Sequence, residues 1–486
     1  MDKFYRVPAE YWQRIHFVRP RFKGNIENVL LYMAHECCKI GRCSSREYNE
    51  KYFNAIRSFK DNIGKEVKTL NNWRTEIPAL FGFYKENKHT DMTETTAMAK
   101  FLNEHQDLTQ FMRFFLFTFQ FPGGHLKSNE IAELINSNIR FKPAQTIIKV
   151  LLEGNKLLTD KEMSLSGEEA AYCIFNDRRV TSGVKSAREV AETILNNRKN
   201  KLKYYDKSDP LIQGNTGKAM SEGDVRRYAS DIMDYMEIAS ILEKRHNYYY
   251  LKPNEKDTIE TFVNDKTFFD GYEPFYGKEY KTSEISAIEP LWFEYVNNSL
   301  DESLFKTDLK TVLGEDVETD IVYGERISDL FDGEHTKKDV GNLGESIVCC
   351  HEKMRLKLAS CDDGMIKRVQ IVDSPSYHPG FDIDSFEGDG TQHHRYVEVK
   401  TTISHNKIDL FGFHMSPNEW SVAETTQEHY CVYRLMISRN AKQLFVLRNP
   451  VGLYKNDKIQ ARPTDGMEVS FDSADFKPTK VLQWEK

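Results

Sequence analysis

Asp382, Glu398 and Lys400 fall within one stretch, HPGFDIDSFEGDGTQHHRYVEVKTT, that runs from 378 to 402. Its last part, RYVEVKTT, has the alternation of a strand, whose successive side chains point to opposite faces. Glu398 and Lys400 therefore share one face, while Val397 and Val399 face a core. With Asp382 on a neighbouring strand, its carboxylate can meet that of Glu398. Two carboxylates side by side repel and raise each other's pKa unless a cation lies between them. Mg²⁺ suits such an oxygen-rich, partly hydrated pocket, and the backbone carbonyl of Val399 can supply a third ligand. The chemistry expected is attack on a phosphate ester. The metal polarises a phosphate oxygen and helps deprotonate the attacking water, while Lys400 orients that water or offsets charge on the phosphorane.

Spacing of the form D-x(n)-E-x-K arises by chance in long chains, and a solvated strand is the ordinary alternative. The order of the surrounding elements adds weight. VGNLGESIVCCHEKMRLKLAS predicts a helix with Ile347, Val348 and Met354 on its inner stripe, Glu345 near its start and Glu352 two turns on. Glu345 is expected to add a metal contact or hold a water. KRVQIVDSP predicts a strand, and GFDI and VEVKTT follow. Asp384, Glu387 and Asp389 are expected in a solvated turn. His393 and His394 precede the strand and are expected in a loop, and they are not expected as ligands, because Mg²⁺ takes oxygen.

This ordered set resembles the PD-(D/E)xK nucleases and, more narrowly, the C-terminal nuclease-like domain of the DUF3883 type found in bacterial restriction and phage-defence proteins. The likeness covers about residues 338 to 450 and is carried by Gly344, Glu345, Glu352, Gly380 to Ile383, and Glu398 to Thr401. Asn418, Glu419, Trp420 and Tyr430, in HMSPNEWSVAETTQEHYCVYRL, match that family's later helix and strand. The motif's proline–aspartate pair is here Phe381-Asp382, with Pro379 three residues before the acid. The resemblance implies an α/β restriction endonuclease-like domain with a mixed central sheet and Mg²⁺ as cofactor. It also implies Asp382, Glu398 and Lys400 as catalytic acids and lysine, with Glu345 the helix acid.

Elements further upstream must bring a substrate to such a site. Residues 1–90 read as mostly helical, through NIENVLLYMAHECCKI and SREYNEKYFNAIRSFKDNI. His35, Cys37, Cys38 and Cys43 lack the second ligand pair of a zinc site and are expected as buried residues on helix faces. In residues 91–255, KSNEIAELINSN starts with Ser128 as N-cap and FKPAQTIIKVLLEG stops at Gly154. Ser166 and Glu169 form a capping box in SLSGEEAAYCIF. SEGDVRRYASDIMDYMEIASILEKRHNYYYLKP predicts one long helix, a shorter helical segment and a Tyr-rich strand. Helices followed by strands are the order of a winged helix-turn-helix, a DNA reader. Arg178, Arg179, Lys185, Arg188, Arg198 and Lys199 cluster there with few acids between, as phosphate contacts require. A solvated helix face is the plainer alternative. FFLFTFQFPGGHLKSNEIAELI with FKPAQTIIKVLLEGNKL is similar to the helical DNA-binding half of AlwI-type restriction endonucleases.

A length of 486 residues exceeds one core. The expected divisions are a helical N-terminal region (1–90), a winged helix-like DNA-binding region (91–255), a connector (256–335) and the nuclease domain (336–486). A net charge of −7 argues against a generic polyanion coat but leaves room for a local basic face. No apolar run of about 18 residues is present to cross a membrane. The start MDKFYRVPAEYWQRIHF does not read as a secretory signal, and scattered cysteines do not form a disulfide framework, so a cytoplasmic protein is expected. The combined expectation is a Mg²⁺-dependent DNA endonuclease of a restriction or phage-defence system. Its partners would be double-stranded DNA, a second copy in a homodimer, and a cognate DNA methyltransferase. The alternatives are a catalytically silent DNA-binding regulator and an RNA-cleaving defence effector.

Overall fold

The computed structural model describes residues 3–17, 22, 25–59, 62, 64–87, 90–212, 218–298, 300–301, 304–305, 321–322, 325–326, 340–372, 379–438 and 441–482. The chain is multidomain, about half helical in its N-terminal part and built on a mixed sheet in its C-terminal part. It divides into two compact units, neither of which is one continuous stretch. The first comprises Met1–Pro20, Glu76–Gly82 and Gln110–Phe305, and the second Arg21–Thr75, Phe83–Thr109 and Lys306–Lys486. The boundary expected near 335 lies outside the described residues. Among the described residues no helix is long and apolar enough to cross a membrane.

In the first unit, helices α1 (Ser128–Asn136) and α2 (Pro143–Leu157) precede strand β1 (Ser164–Ser166). Helices α3 (Ala187–Lys199) and α4 (Glu222–Ile238) follow, then strands β2 (Leu242–Arg245) and β3 (Tyr248–Leu251). The strands form one antiparallel sheet in the order β1-β3-β2. The Ser166–Glu169 capping box is formed: Ser166 N–H donates to Glu169 at 2.8 Å and Glu169 N–H to Ser166 Oγ at 3.2 Å. The N-cap position of α1 is Lys127 rather than Ser128; no side chain caps the helix from there, and the Lys127 N–H donates to Glu130 at 3.0 Å.

Two local expectations are corrected. Helix α2 runs through Gly154 to Leu157, and Gly154 is where Met163 packs, since a Cβ there would stand 2.3 Å from Met163 Cγ. The segment after α4 is a hairpin rather than a short helix, with His246 at a left-handed φ of 53° in its turn. In β3, Tyr249 and Leu251 are buried while Tyr248 is exposed, a period-two burial, and β2 is held as a strand by its antiparallel pairing with β3.

The second unit contains helix α5 (Val340–Leu358), strand β4 (Gln370–Ile371), strand β5 (Ile383–Phe386) and the long strand β6 (His394–Ser404). Strand β7 (Phe413–Met415), helix α6 (Pro417–Thr426), strand β8 (Tyr430–Ser438) and strand β9 (Ala441–Arg448) come next. Strands β10 (Gln460–Thr464) and β11 (Gly466–Ser470) complete it. The main sheet has the order β9-β8-β6-β5-β4, with β6 and β8 parallel and the other neighbours antiparallel. A smaller sheet has the order β7-β11-β10. Parallel neighbours need a crossover, and the chain between β6 and β8 supplies it through β7 and α6.

Helix α5 covers one face of the main sheet. Leu343, Ile347, Val348 and Leu356 pack there on Val397, Val399, Ile403, Tyr433 and Leu435 in one buried cluster. Its approach is unusually close at one point: a Cβ on Gly344 would stand 1.8 Å from Thr401 Oγ1. Glycine is required there by contact, not by backbone conformation.

N-terminal chain is built into this unit. Glu27, on the helix Ile26–Ile40, accepts hydrogen bonds from the backbone N–H groups of His405 at 2.7 Å and Asn406 at 3.2 Å. Asn28 accepts one from Asp409 N–H at 2.8 Å. Gln106, which ends the helix Ala97–His105, accepts from Thr402 Oγ1 and Arg434.

Candidate active site

Strand β6 is a central strand of the sheet, and α6 brings Glu419 onto the face that carries Glu398 and Lys400. Glu398 is only 4% exposed. Asp382 stands one residue before β5. Its N–H donates to Val397 O at 2.9 Å, and its Oδ2 accepts from Val399 N–H at 2.7 Å. Its carboxyl also hydrogen-bonds Glu398. The turn that presents it needs Gly380, which has a φ of 82° and whose carbonyl accepts from the Tyr430 hydroxyl at 2.7 Å. Lys400 Nζ lies 2.7 Å from Glu398 Oε1 and 2.8 Å from Glu419 Oε2. Glu419 belongs to the first turn of α6, where it forms a capping box with Ser416.

Three carboxyls thus surround one ammonium, and the shifts follow from that count. Burial raises the pKa of Asp382, and Lys400 only partly opposes it. Burial raises Glu398 well above the usual carboxylate range, and the charges of Asp382 and Glu419 add to the rise. Burial alone would depress Lys400, but Glu398 and Glu419 carry it above the usual lysine value. Glu419 moves the other way: against burial, Lys400 and the Ser416 hydrogen bonds hold it below the usual range. We read Lys400 and Glu419 as the charged pair, which leaves Asp382 and Glu398 short of positive charge.

That shortage is what a divalent cation relieves. Among the described residues no group of three or more His, Cys, Asp or Glu side chains is arranged to hold a metal ion. Two carboxylates remain, with the carbonyl of Val399, whose N–H already faces Asp382; in an extended strand the N–H and C=O of one residue face the same side. An all-oxygen set with few protein ligands fits Mg²⁺, which keeps several waters and is held by one or two carboxylates.

The remaining predicted residues are distributed differently. Glu345 is half-buried on α5, next to Gly344, and so comes to β6 from the Thr401 face, opposite to Glu398 and Lys400. Glu352 is fully buried and held by Arg355 at 2.7 and 2.8 Å, Ser385 at 2.7 Å and Tyr433 at 2.6 Å. That is a satisfied structural network. Glu387, expected in a solvated turn, is instead buried, 2.7 Å from Arg395 and 3.2 Å from Arg448. Asp389 is exposed and accepts from Thr391. His394 is the first residue of β6 rather than a loop residue, and its Nδ1 is 2.6 Å from Asp384 Oδ1. Cys37 is buried, and His35 lies 3.2 Å from Glu468.

Sequence reasoning noted Glu419 but gave it no role, although Ser416-Pro-Asn-Glu419 is a legible capping box. It missed Arg434 altogether. This fully buried guanidinium is paired with Lys400 in the β6–β8 register and donates to the Lys400 carbonyl at 3.0 Å. Burial lowers its pKa to about 9. An arginine in a strand of mostly apolar residues carries no signal of such a partner.

The basic stretch of the first unit is more neutralised than its sequence implies. Arg179 is 2.6 Å from Asp177, Arg198 is 2.7 Å from Glu169, and Arg188 is 3.1 Å from Glu192. Arg178 donates to Glu10 O at 3.0 Å and Lys185 to Thr193 at 2.9 Å. Lys199 is exposed.

A half-helical N-terminal part joined to a mixed-sheet C-terminal part is the class of protein that these elements define. Residues 5–293 match the family described as restriction endonuclease BpuJI, N terminal, and the chain belongs to that family. This is a restriction endonuclease family, and the match is to BpuJI where the sequence suggested a likeness to the AlwI type. Residues 344–447 match the family described as protein NO VEIN, C-terminal. Among solved structures, the chain is similar to one described as pyrene- and phenanthrene-modified DNA in complex with the BpuJ1 endonuclease binding domain. That likeness has a TM-score of 0.51 at 22% identity, over 60% of this chain and 99% of that one. No curated protein matches.

Proposed function

We propose that this protein is a Mg²⁺-dependent DNA endonuclease of a restriction or phage-defence system. In this reading residues 91–255 form a winged helix-like DNA-binding region and residues 336–486 a PD-(D/E)xK nuclease domain. The observation that carries it is the convergence of Asp382, Glu398 and Lys400 at the mouth of the β5–β6 pair, with two carboxyls short of positive charge. The BpuJI family match and the likeness to a domain solved with DNA support the substrate.

Asp382, Glu398 and the Val399 carbonyl would hold the metal, and Glu345, which approaches β6 from the other face, stays outside that set. Mg²⁺ held there supplies Lewis acidity to a phosphodiester oxygen. Lys400, on the same face as Glu398, offsets negative charge that builds on the phosphorane or orients the water that attacks it. Arg434 fixes the backbone of Lys400 from the adjacent strand. Arg178, Arg179, Lys185, Arg188, Arg198 and Lys199 are the proposed DNA-facing cations. Cutting both strands calls for two such sites and hence for a homodimer. A supercoiled plasmid incubated with the protein and Mg²⁺ should be nicked or linearised, and activity that survives in Lys400→Ala would sink the assignment.

A second reading has its own observation: the solved likeness is to a binding domain. A catalytically silent DNA-binding regulator would retard duplex DNA in a gel shift, yet leave it uncut with Mg²⁺ or Mn²⁺.

A further inference from the structure

Lys400 is shared between two carboxylates of different standing. Glu398, at 2.7 Å, is a metal ligand in the reading above; Glu419, at 2.8 Å, comes from another element, the first turn of α6. Both the Ser416 N–H, at 3.0 Å, and Lys400 end on Oε2 of Glu419. The capping box therefore fixes the oxygen that receives the lysine. A helix cap alone needs only the Ser416 contact. The second contact reaches across from α6 to the central strand.

Lys400 and a metal ion are competitors for Glu398, since an ammonium at 2.7 Å occupies the side of the carboxylate that a cation would use. When a divalent ion binds, like charges 3–4 Å apart repel, and Lys400 must give up Glu398. Without a second acceptor it would either resist the ion or swing away from the site. We propose that Glu419 is a positioning residue of the active site: it draws Lys400 off Glu398 as the metal binds, and keeps the ammonium beside the reacting phosphate. The inference rests on the nuclease reading and goes beyond it by assigning a third acid, on α6, to the control of Lys400.

Calorimetric titration of the full chain with Mg²⁺ tests it, using Glu419→Gln, Lys400→Met and the double variant. Glutamine keeps the size of the side chain and can still accept a hydrogen bond. Glu419→Gln should weaken Mg²⁺ binding roughly tenfold, within the coupling range of charged groups in contact. Lys400→Met in the Glu419→Gln background should restore binding, because the competitor is gone. A purely structural cap predicts no such rescue. Unchanged Mg²⁺ affinity in Glu419→Gln, or a double variant as weak as Glu419→Gln, overturns the proposal while leaving the nuclease reading intact. Wild-type protein that neither binds Mg²⁺ nor cuts DNA overturns both, and unchanged binding in Asp382→Asn identifies the parent reading as the failure.

Discussion

The carboxylate of Asp382 and the backbone of Val399 are joined by a 2.7 Å hydrogen bond, across the point where β5 begins. The bond clips the incoming turn to the central strand and sets the Asp382 carboxyl beside Glu398. An asparagine retains an acceptor for the Val399 N–H, so Asp382→Asn should fold normally while losing the charge at the centre. Single-turnover cleavage of plasmid DNA by this variant should fall by about 10²-fold or more, the size seen when one electrostatic stabiliser is removed. Affinity for the same DNA without metal should be unchanged. Cleavage at the wild-type rate would remove Asp382 from the mechanism.

Gly344 predicts a stability effect that has nothing to do with backbone freedom. Alanine there would push a methyl group to 1.8 Å from Thr401 Oγ1 and 2.9 Å from its Cβ. Helix α5 must move away from β6, and overpacking of this kind costs about 1–3 kcal/mol. Urea denaturation should register that loss, and Thr401→Ala in the same chain should return part of it. An unaltered midpoint in Gly344→Ala would mean that α5 does not pack as described.

His125 should make the first unit acid-sensitive. It is fully buried among Phe17, Phe119, Phe121 and Trp292, with neither ring nitrogen hydrogen-bonded. Burial pushes its pKa down from 6.5 to about 3. Because the folded-state value is depressed, the unfolded chain binds a proton between those values that the folded chain does not. Stability is therefore full above the unfolded pKa and declines as the pH falls below it. Between pH 7 and pH 5 this group alone should remove about 2 kcal/mol. Thermal unfolding of His125→Phe should show a loss over that interval smaller by this amount. Equal pH slopes in the two proteins would refute the assignment.

The basic residues should separate into two kinds. Arg198 is held by Glu169 and by the Ser164 carbonyl at 2.8 Å, so Arg198→Ala should lower the stability of the first unit as well as any DNA affinity. Exposed Lys199 should behave as a pure phosphate contact. Lys199→Ala should leave unfolding untouched and reduce the slope of log affinity against log salt by about 1. A slope unchanged from wild type would take Lys199 off the DNA-facing surface.

By itself the sequence determined the strand through RYVEVKTT, residues 395–402, the helix carrying Gly344 and Glu352, and the shared face of Glu398 and Lys400. These are local matters, fixed by the period of burial and by capping residues a few positions apart. It went wrong where a short segment fits two periods, as in the hairpin after α4, and where a glycine looks like a stop but serves a neighbour, as at Gly154. Charge was the least legible quantity. Arg179, Arg188 and Arg198 read as a basic face until Asp177, Glu192 and Glu169 are brought beside them. Glu387 read as a solvated acid, yet packing surrounds it with arginines. The same holds at the candidate site: a charged strand edge on paper lies inside a sheet, where α6 adds Glu419 and β8 adds Arg434. Tertiary structure alone decided these, because the environment of a charge is set by groups distant in the chain, and burial magnifies every one of them.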